Sequence, residues 1–163
     1  MNPKPNLEVS FSKGPNIGVH FITEGEGFRV SLIESNKGFQ AFFFTEVDKA
    51  LCDKLLAWLE AYGRGISSEV NFLPRQKTPS FTQDVINALS LIPFGKVVSY
   101  GELASLANSP RAVRAVGTIC RQNQYPLFIP CHRVIRKGGS LGGFAFGSSL
   151  KTTLLNFEEE FTL

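Results

Sequence analysis

The stretch FIPCHRVIRKGG, residues 128–139, sets a cysteine beside a histidine, between a proline and an arginine. A cysteine acts as a nucleophile in its thiolate form, and from a free pKa of about 8.5 it needs a base or a positive environment to get there. Cys131 has His132 next to it and Arg133 beyond. Pro130 fixes the direction of the chain into the cysteine and removes one backbone donor. Three roles are open on these residues alone: a nucleophile, a metal ligand, or a small buried side chain. Counting ligands weighs against metal. His20 and His132 are the two histidines, and no pair of the cysteines Cys52, Cys120 and Cys131 stands at the short spacing of structural zinc. No metal and no cofactor is expected.

The second chemical feature is charge. Residues 1–77 hold nine basic and nine acidic side chains, whereas 78–163 hold eight basic and five acidic ones. Between Glu102 and Glu158 stand Arg111, Arg114, Arg121, Arg133, Arg136, Lys137 and Lys151, with no acid among them. Such a local basic field favours a polyanion such as nucleic acid; a solvated basic face is the plainer alternative. At about 100° per residue, Arg111, Arg114, Thr118 and Arg121 fall within an arc of roughly 80° on one helix. Val113, Val116 and Cys120 take the other side, which makes Cys120 a core residue. Ala112, Ala115 and Gly117 keep the helix slim enough for close approach to a surface, as docking on DNA requires.

These groups must be positioned by the elements around them. A hydrophobic content of 43% in 163 residues is ordinary for a globular protein and sufficient for a core. LEVSF, NIGVHFITEG, FRVSLIES and FQAFFFT are β-rich runs separated by turns, which predicts a small antiparallel sheet. DKALCDKLLAWLEAYG then puts Leu51, Leu55, Trp58, Leu59 and Tyr62 on one helical stripe, with Gly63 at the C-cap and Cys52 as a packing residue. RGISSEVNFLPRQKTP reads as a connection with one short strand, so the chain divides into 1–77 and 78–163.

The second half is more helical. SFTQ at 80–83 predicts a capping box of Ser80 with Gln83, opening a helix with Phe81, Val85, Ile86 and Leu89 inward. SYGE at 99–102 predicts another, for a helix reaching Ala107. NSP follows, with Ser109 as N-cap and Pro110 at the first position of a helix running to Arg121. Two short helices joined by a tight polar turn form a helix-turn-helix. Near the C-terminus Leu150, Leu154, Phe157 and Phe161 make an apolar stripe, and Glu158 sits at its edge. A carboxylate there needs a partner; a histidine suits it, and a salt bridge on the rim is the alternative. No run reaches the roughly 20 apolar residues that span a bilayer. The polar start MNPKPNLEVSFSKG does not read as a signal peptide, and three unpaired cysteines suit a reducing cytoplasm.

SYGELA, RAVG, IPCHRV, a glycine-rich loop and KTTLLNFEEE occur in this order over about 79–160. This series closely resembles the O6-alkylguanine-DNA alkyltransferases, the methylated-DNA–protein-cysteine methyltransferases. The resemblance implies an α+β chain with a ribonuclease-H-like N-terminal domain of small antiparallel sheet and helix. Its C-terminal domain would be mostly helical, with a winged-helix-like helix-turn-helix and the active-site cysteine. It implies repair of double-stranded DNA containing O6-alkylguanine, and of O4-methylthymine, by a monomer that flips the damaged base. The alkyl group would pass irreversibly to Cys131, once per chain.

By the same resemblance His132 is the base, acting through a water, Glu158 polarises it, and Asn123 braces the turn into the active-site strand. Tyr100 crowds the target phosphate and bonds the base. Arg114 is the finger that fills the stack, with Arg111, Ala115, Thr118 and Arg121 on the same DNA-binding face, in the minor groove. Tyr100, Val134, Phe144, Ala145 and Phe146 would line the substrate pocket, Val134 and Ala145 through backbone groups. The chain departs from the family at Gln124, where proline is usual, which predicts a looser hinge. Phe144 stands for a tyrosine and Phe146 for a glycine, which predicts a narrower pocket. Two other readings belong to different classes: a non-catalytic lesion sensor, whose relatives lack the cysteine, and a DNA-binding regulator with a structural or redox-sensitive cysteine.

Overall fold

Apolar residues at every second position build the first sheet. Ile17, Val19 and Phe21 of β2 (Ile17–Glu24) are buried, as are Phe28, Val30 and Leu32 of β3 (Gly27–Glu34) and Ala41 and Phe43 of β4 (Gln40–Phe44). With β1 (Leu7–Ser10) the order is β1-β4-β2-β3. β2 and β3 form an antiparallel hairpin, and β1 pairs antiparallel with β4. β4 pairs with the other edge of β2, parallel to it, with Val19 opposite Ala41. The sheet is therefore mixed, which corrects the expectation of a wholly antiparallel one. Hairpin logic pairs each strand with its predecessor, but β4 skips β3 and so runs with β2.

The computed structural model describes residues 4–74 and 77–162. They fall into two compact units, Met1–Pro74 and Arg75–Leu163. In the first, helix α1 (Lys49–Gly63) starts at Asp48, whose carboxylate accepts from Leu51 N at 2.9 Å. Leu55, Trp58, Leu59 and Tyr62 are buried, Trp58 and Tyr62 stack at 5.4 Å, and Leu51 and Cys52 are half-buried. Gly63 is the last helical residue rather than the C-cap, which is Arg64. Its missing side chain serves the close approach of the Lys13 carbonyl. Among the described residues the connection contains no strand; positions 75 and 76 of it lie outside them.

The second unit opens with α2 (Ser80–Ser90), where Val85, Ala88 and Leu89 are buried and Phe81 and Ile86 half-buried. Its N-cap is Pro79 and no side chain caps it, so the capping box at Ser80 is not formed. The Gln83 N–H is taken by the Pro79 carbonyl at 3.0 Å, and the Gln83 side chain bonds Thr78 and Asn87 instead. β5 (Val98–Ser99) pairs in parallel with β6 (Val134–Ile135) and leads into α3 (Tyr100–Leu106). Here the capping box is complete: Ser99 Oγ accepts from Glu102 N at 3.0 Å and Ser99 N donates to Glu102 at 3.3 Å.

α3 packs on α4 (Val113–Arg121) through a turn in which Asn108 adopts a left-handed φ of 60°. α4 begins later than expected. Residues 109–112 close a turn of their own, with Ala112 N donating to the Ser109 carbonyl, so Ser109 is not an N-cap and Pro110 is not helical. The delay puts Arg111 ahead of the helix and Val113 at its first position, where it is 40% exposed rather than core. Val116, Gly117 and Cys120 are buried. The last helix, α5 (Ser148–Glu159), buries Leu150, Lys151, Leu154, Phe157 and Glu158. Phe161 lies past its end and is largely exposed, though still edge-on to Phe94 and Phe157. Among the described residues no helix is long and apolar enough to cross a membrane.

Candidate active site

Cys131 sits where the chain turns twice in quick succession. Pro130, at φ −82° and ψ 62°, lets Cys131 N reach back to the Ile129 carbonyl at 2.8 Å, the geometry of an inverse γ-turn. One 3₁₀ turn, Cys131–Arg133, then joins β6. Cys131, His132 and Arg133 are all buried. The turn before them is braced by Asn123, whose Oδ1 accepts from Tyr125 N at 3.0 Å and whose Nδ2 donates to the Ile129 carbonyl at 2.8 Å. The same Nδ2 donates to Cys131 Sγ at 3.1 Å. Burial pushes the Cys131 thiol up, opposed by the Asn123 hydrogen bond and by the charge of Lys151. The resting group is a thiol that needs a base.

His132 is the next residue in the chain. His132 Nε2 lies 2.5 Å from Glu158 Oε2, and burial pushes the imidazole pKa down, against the pull of Glu158. Burial also opposes the charge on Glu158, but the hydrogen bonds from His132 and Arg133 and the charge of Arg133 outweigh it and hold the carboxyl well below the usual carboxylate range. The consistent state is an ionised Glu158 and a neutral His132 that donates Nε2–H to it. Nδ1 then carries the lone pair, and it has no partner among the described residues. A buried basic nitrogen is left free to receive a proton.

Glu158 is the hub of the site. Oε1 accepts from Arg133 Nε at 2.7 Å and from Gly95 N at 3.0 Å; Oε2 accepts from His132 and from Arg133 Nη2 at 3.2 Å. Arg133 spends Nη1 on the Ile92 carbonyl and packs 5.6 Å from the Phe94 ring centroid. Gly95, at φ 79°, turns its N–H toward the carboxylate in a conformation that favours glycine. The sequence pointed to His132 as the partner of Glu158 but not to Arg133 or Gly95.

Lys151, counted from sequence with the basic field, is instead buried at the site. Fully buried on α5, its Nζ donates to the carbonyls of Val134 at 2.6 Å and Gly143 at 3.3 Å, and lies 5.9 Å from the Tyr100 ring centroid. Burial lowers its pKa, and the nearby Cys131 and Cys120 raise it. Its signal was its place on the helix, three residues before Leu154 and seven before Glu158, on their face. Tyr100 donates its hydroxyl to Gly143 O at 3.3 Å. Cys120 is buried, and its thiol is pushed up to about 12 by burial first and then by Cys131.

The remaining positions named from sequence lie as follows. Arg111, Arg114, Ala115, Thr118 and Arg121 are exposed, with Thr118 Oγ1 donating to the Arg114 carbonyl and accepting from Arg121. Val134 is buried, with its N–H on the Cys131 carbonyl and its own carbonyl on Lys151. Phe144 and Phe146 are half-buried and meet edge-on at 5.6 Å, with Ala145 exposed between them. Among the described residues no group of three or more histidine, cysteine or acidic side chains is placed to hold a metal ion.

A buried cysteine beside a histidine–carboxylate pair, in one unit with a basic helix-turn-helix, defines a class: a cysteine-centred site carried on a nucleic-acid-binding scaffold. Residues 80–160 match the family described as 6-O-methylguanine DNA methyltransferase, DNA binding domain. The bifunctional transcriptional activator/DNA repair enzyme Ada of Escherichia coli is 32% identical over 90% of this chain and 47% of its own length. The methylated-DNA–protein-cysteine methyltransferase of Rattus norvegicus is 42% identical over 63% of this chain and 53% of its own. A crystal structure of Mycobacterium tuberculosis OGT in complex with DNA is 28% identical, covers 88% of this chain and 93% of that one, and has a TM-score of 0.64. The chain belongs to the O6-methylguanine DNA methyltransferase family. It spans about half the length of the curated relatives it matches.

Proposed function

We propose that this protein repairs alkylated double-stranded DNA by moving the alkyl group from guanine O6 to its own Cys131. The observation that supports this reading is the buried Cys131, hydrogen-bonded by Asn123, next in the chain to His132, which pairs with Glu158 and keeps Nδ1 without a partner among the described residues. Sγ attacks the methyl carbon in line as the O6–carbon bond breaks. The thiol proton passes to His132 Nδ1, through a bound water, and is returned to the departing guanine. Methyl-cysteine and guanine are the products, no cofactor is consumed, and the thioether is not reopened. The protein acts once.

Tyr100 would crowd the phosphate of the damaged nucleotide and Arg114 would fill the stack after the base has swung out, since chemistry on a paired base needs it flipped. Arg111, Ala115, Thr118 and Arg121 support a minor-groove contact that reads the backbone more than the sequence. Val134, Phe144, Ala145 and Phe146 would surround the base. O4-methylthymine, which presents a similar alkyl carbon, is a second substrate on this reading. Residues 78–163 form the winged-helix-like acceptor domain and 1–77 a ribonuclease-H-like support, working as a monomer in a reducing cytoplasm. The test uses duplex DNA with a labelled O6-methyl group. Wild type takes up at most one methyl per chain, and Cys131→Ser binds the same duplex without taking any. Label on the serine variant, or repeated turnover by wild type, would overturn the reading.

A further inference from the structure

Two arginines from distant parts of the second unit come near Tyr100. A Cβ at Gly117 would stand 3.7 Å from Arg121 Nη1 and 4.0 Å from Tyr100 Cδ1, so the Arg121 guanidinium and the δ1 side of the ring border the same gap at Gly117. A Cβ at Gly142 would stand 3.0 Å from Tyr100 Cε2, 3.1 Å from its hydroxyl and 3.3 Å from Arg136 Cγ. The Arg136 stem and the ε2 and hydroxyl end of the ring therefore border the same gap at Gly142. Both arginines are exposed, and both lower the Tyr100 pKa that burial raises. Arg121 donates to Thr118, and among the described residues neither arginine has a carboxylate partner.

The third cation at this ring, Lys151, is buried and committed to the carbonyls of Val134 and Gly143, and the tyrosine hydroxyl donates to the second of these as well. The exposed cations near the ring are thus Arg121 and Arg136. A guanidinium pairs well with the non-bridging oxygens of a phosphodiester, by two parallel N–H bonds. The cluster continues the exposed face of Arg114, Thr118 and Arg121. Through β6 it is also tied to the turn that carries the sulfur, Arg136 being the residue after that strand.

We propose that Arg121 and Arg136 form a phosphodiester clamp across Tyr100, gripping a phosphate next to the damaged nucleotide, with Arg136 as a binding residue of its own. This rests on the repair reading above and adds to it the point at which the strand is held. Arg121 arrives on the helix that approaches the groove and Arg136 on the loop beyond the active-site strand. Closing both on one phosphate fixes the sugar whose base must reach Cys131.

The experiment measures affinity of the full chain for a duplex containing O6-methylguanine, across salt concentrations, for wild type, Arg136→Ala and its neighbour Lys137→Ala. Arg136→Ala binds about tenfold more weakly, and its salt slope falls by about 0.9, the share of one phosphate. With a neutral methylphosphonate at one of the two linkages flanking the lesion, wild type and Arg136→Ala bind alike, while Lys137→Ala keeps whatever deficit it had. The clamp is overturned if Arg136→Ala binds the natural duplex like wild type, or if its deficit survives neutralisation of each linkage in turn. A wild type that binds the duplex and is alkylated at Cys131 in the same preparation leaves the repair reading standing in that case; one that does neither overturns both.

Discussion

Glu158 is a carboxylate held by N–H donors of Gly95, His132 and Arg133, and the state of His132 follows from it. Arg133 already sets a full positive charge against it, so the imidazole need not be protonated to pair with it. Burial then keeps His132 neutral below its ordinary pKa of 6.5. The single-turnover rate of transfer should stay level as pH falls from neutral past 6.5 and drop only at lower pH, where His132 gains a proton and can no longer take one. A rate that already halves at or above 6.5 contradicts this assignment. Phe146 gives a second prediction at this scale. Its ring stands edge-on to Phe144 on the loop whose Gly143 carbonyl Tyr100 and Lys151 hold, and so narrows the proposed pocket. Phe146→Gly should be inactivated faster than wild type by free O6-benzylguanine, and equal rates contradict the narrowing.

Two serines with the same local spelling behave differently as helix starts. Ser99 is held extended, at φ −78° and ψ 162°, at the end of a strand that pairs with β6, and that conformation lets its hydroxyl accept from Glu102 N. Ser80 has no such strand before it; Pro79 takes the cap position and Ser80 is drawn into the helix. Ser99→Ala should therefore cost about 1 kcal/mol, whereas Ser80→Ala should stay within about 0.5 kcal/mol, both read from urea unfolding. Similar costs for the two contradict the assignment. A capping motif was legible at both places, but the conformation of the residue it caps is set by pairing far along the chain. Val113 failed for a related reason: periodicity named its face, and the turn at 109–112, which periodicity does not report, moved the helix start beneath it.

For the whole molecule, the parts legible from one sequence are those whose signal is local. The stripes of α1 and α5 and the burial of Cys120 follow from spacing on one helix, whereas the pairing of Glu158 with His132 was implied by the family resemblance. The mixed sheet does not, because β4 chooses between two free strand edges that look alike in sequence. Nor does the role of Arg133, which appears only when α5 brings Glu158 back to a turn 25 residues earlier. That buried network ties stability to pH. His132, with its pKa lowered on folding, costs nothing above 6.5 and opposes folding as pH falls below it, where the unfolded chain takes the proton and the folded one does not. Glu158, also lowered, stabilises above its ordinary 4.5 and loses that contribution as pH falls through its folded value. Urea midpoints should therefore decline from about 6.5 downward and more steeply below 4.5. Glu158→Gln should flatten the lower part while costing about 3 kcal/mol or more at neutral pH, since it strands the buried Arg133; an unaltered acid limb contradicts the network's role.

The central claim is that Cys131 is the acceptor. Wild-type protein is incubated with duplex DNA carrying O6-methylguanine, digested, and its cysteine peptides are weighed. The peptide containing Cys131 should gain the mass of one CH₂, with those of Cys52 and Cys120 unchanged. A duplex that is bound while every cysteine peptide keeps its mass, or a gain on Cys120 in place of Cys131, would contradict it.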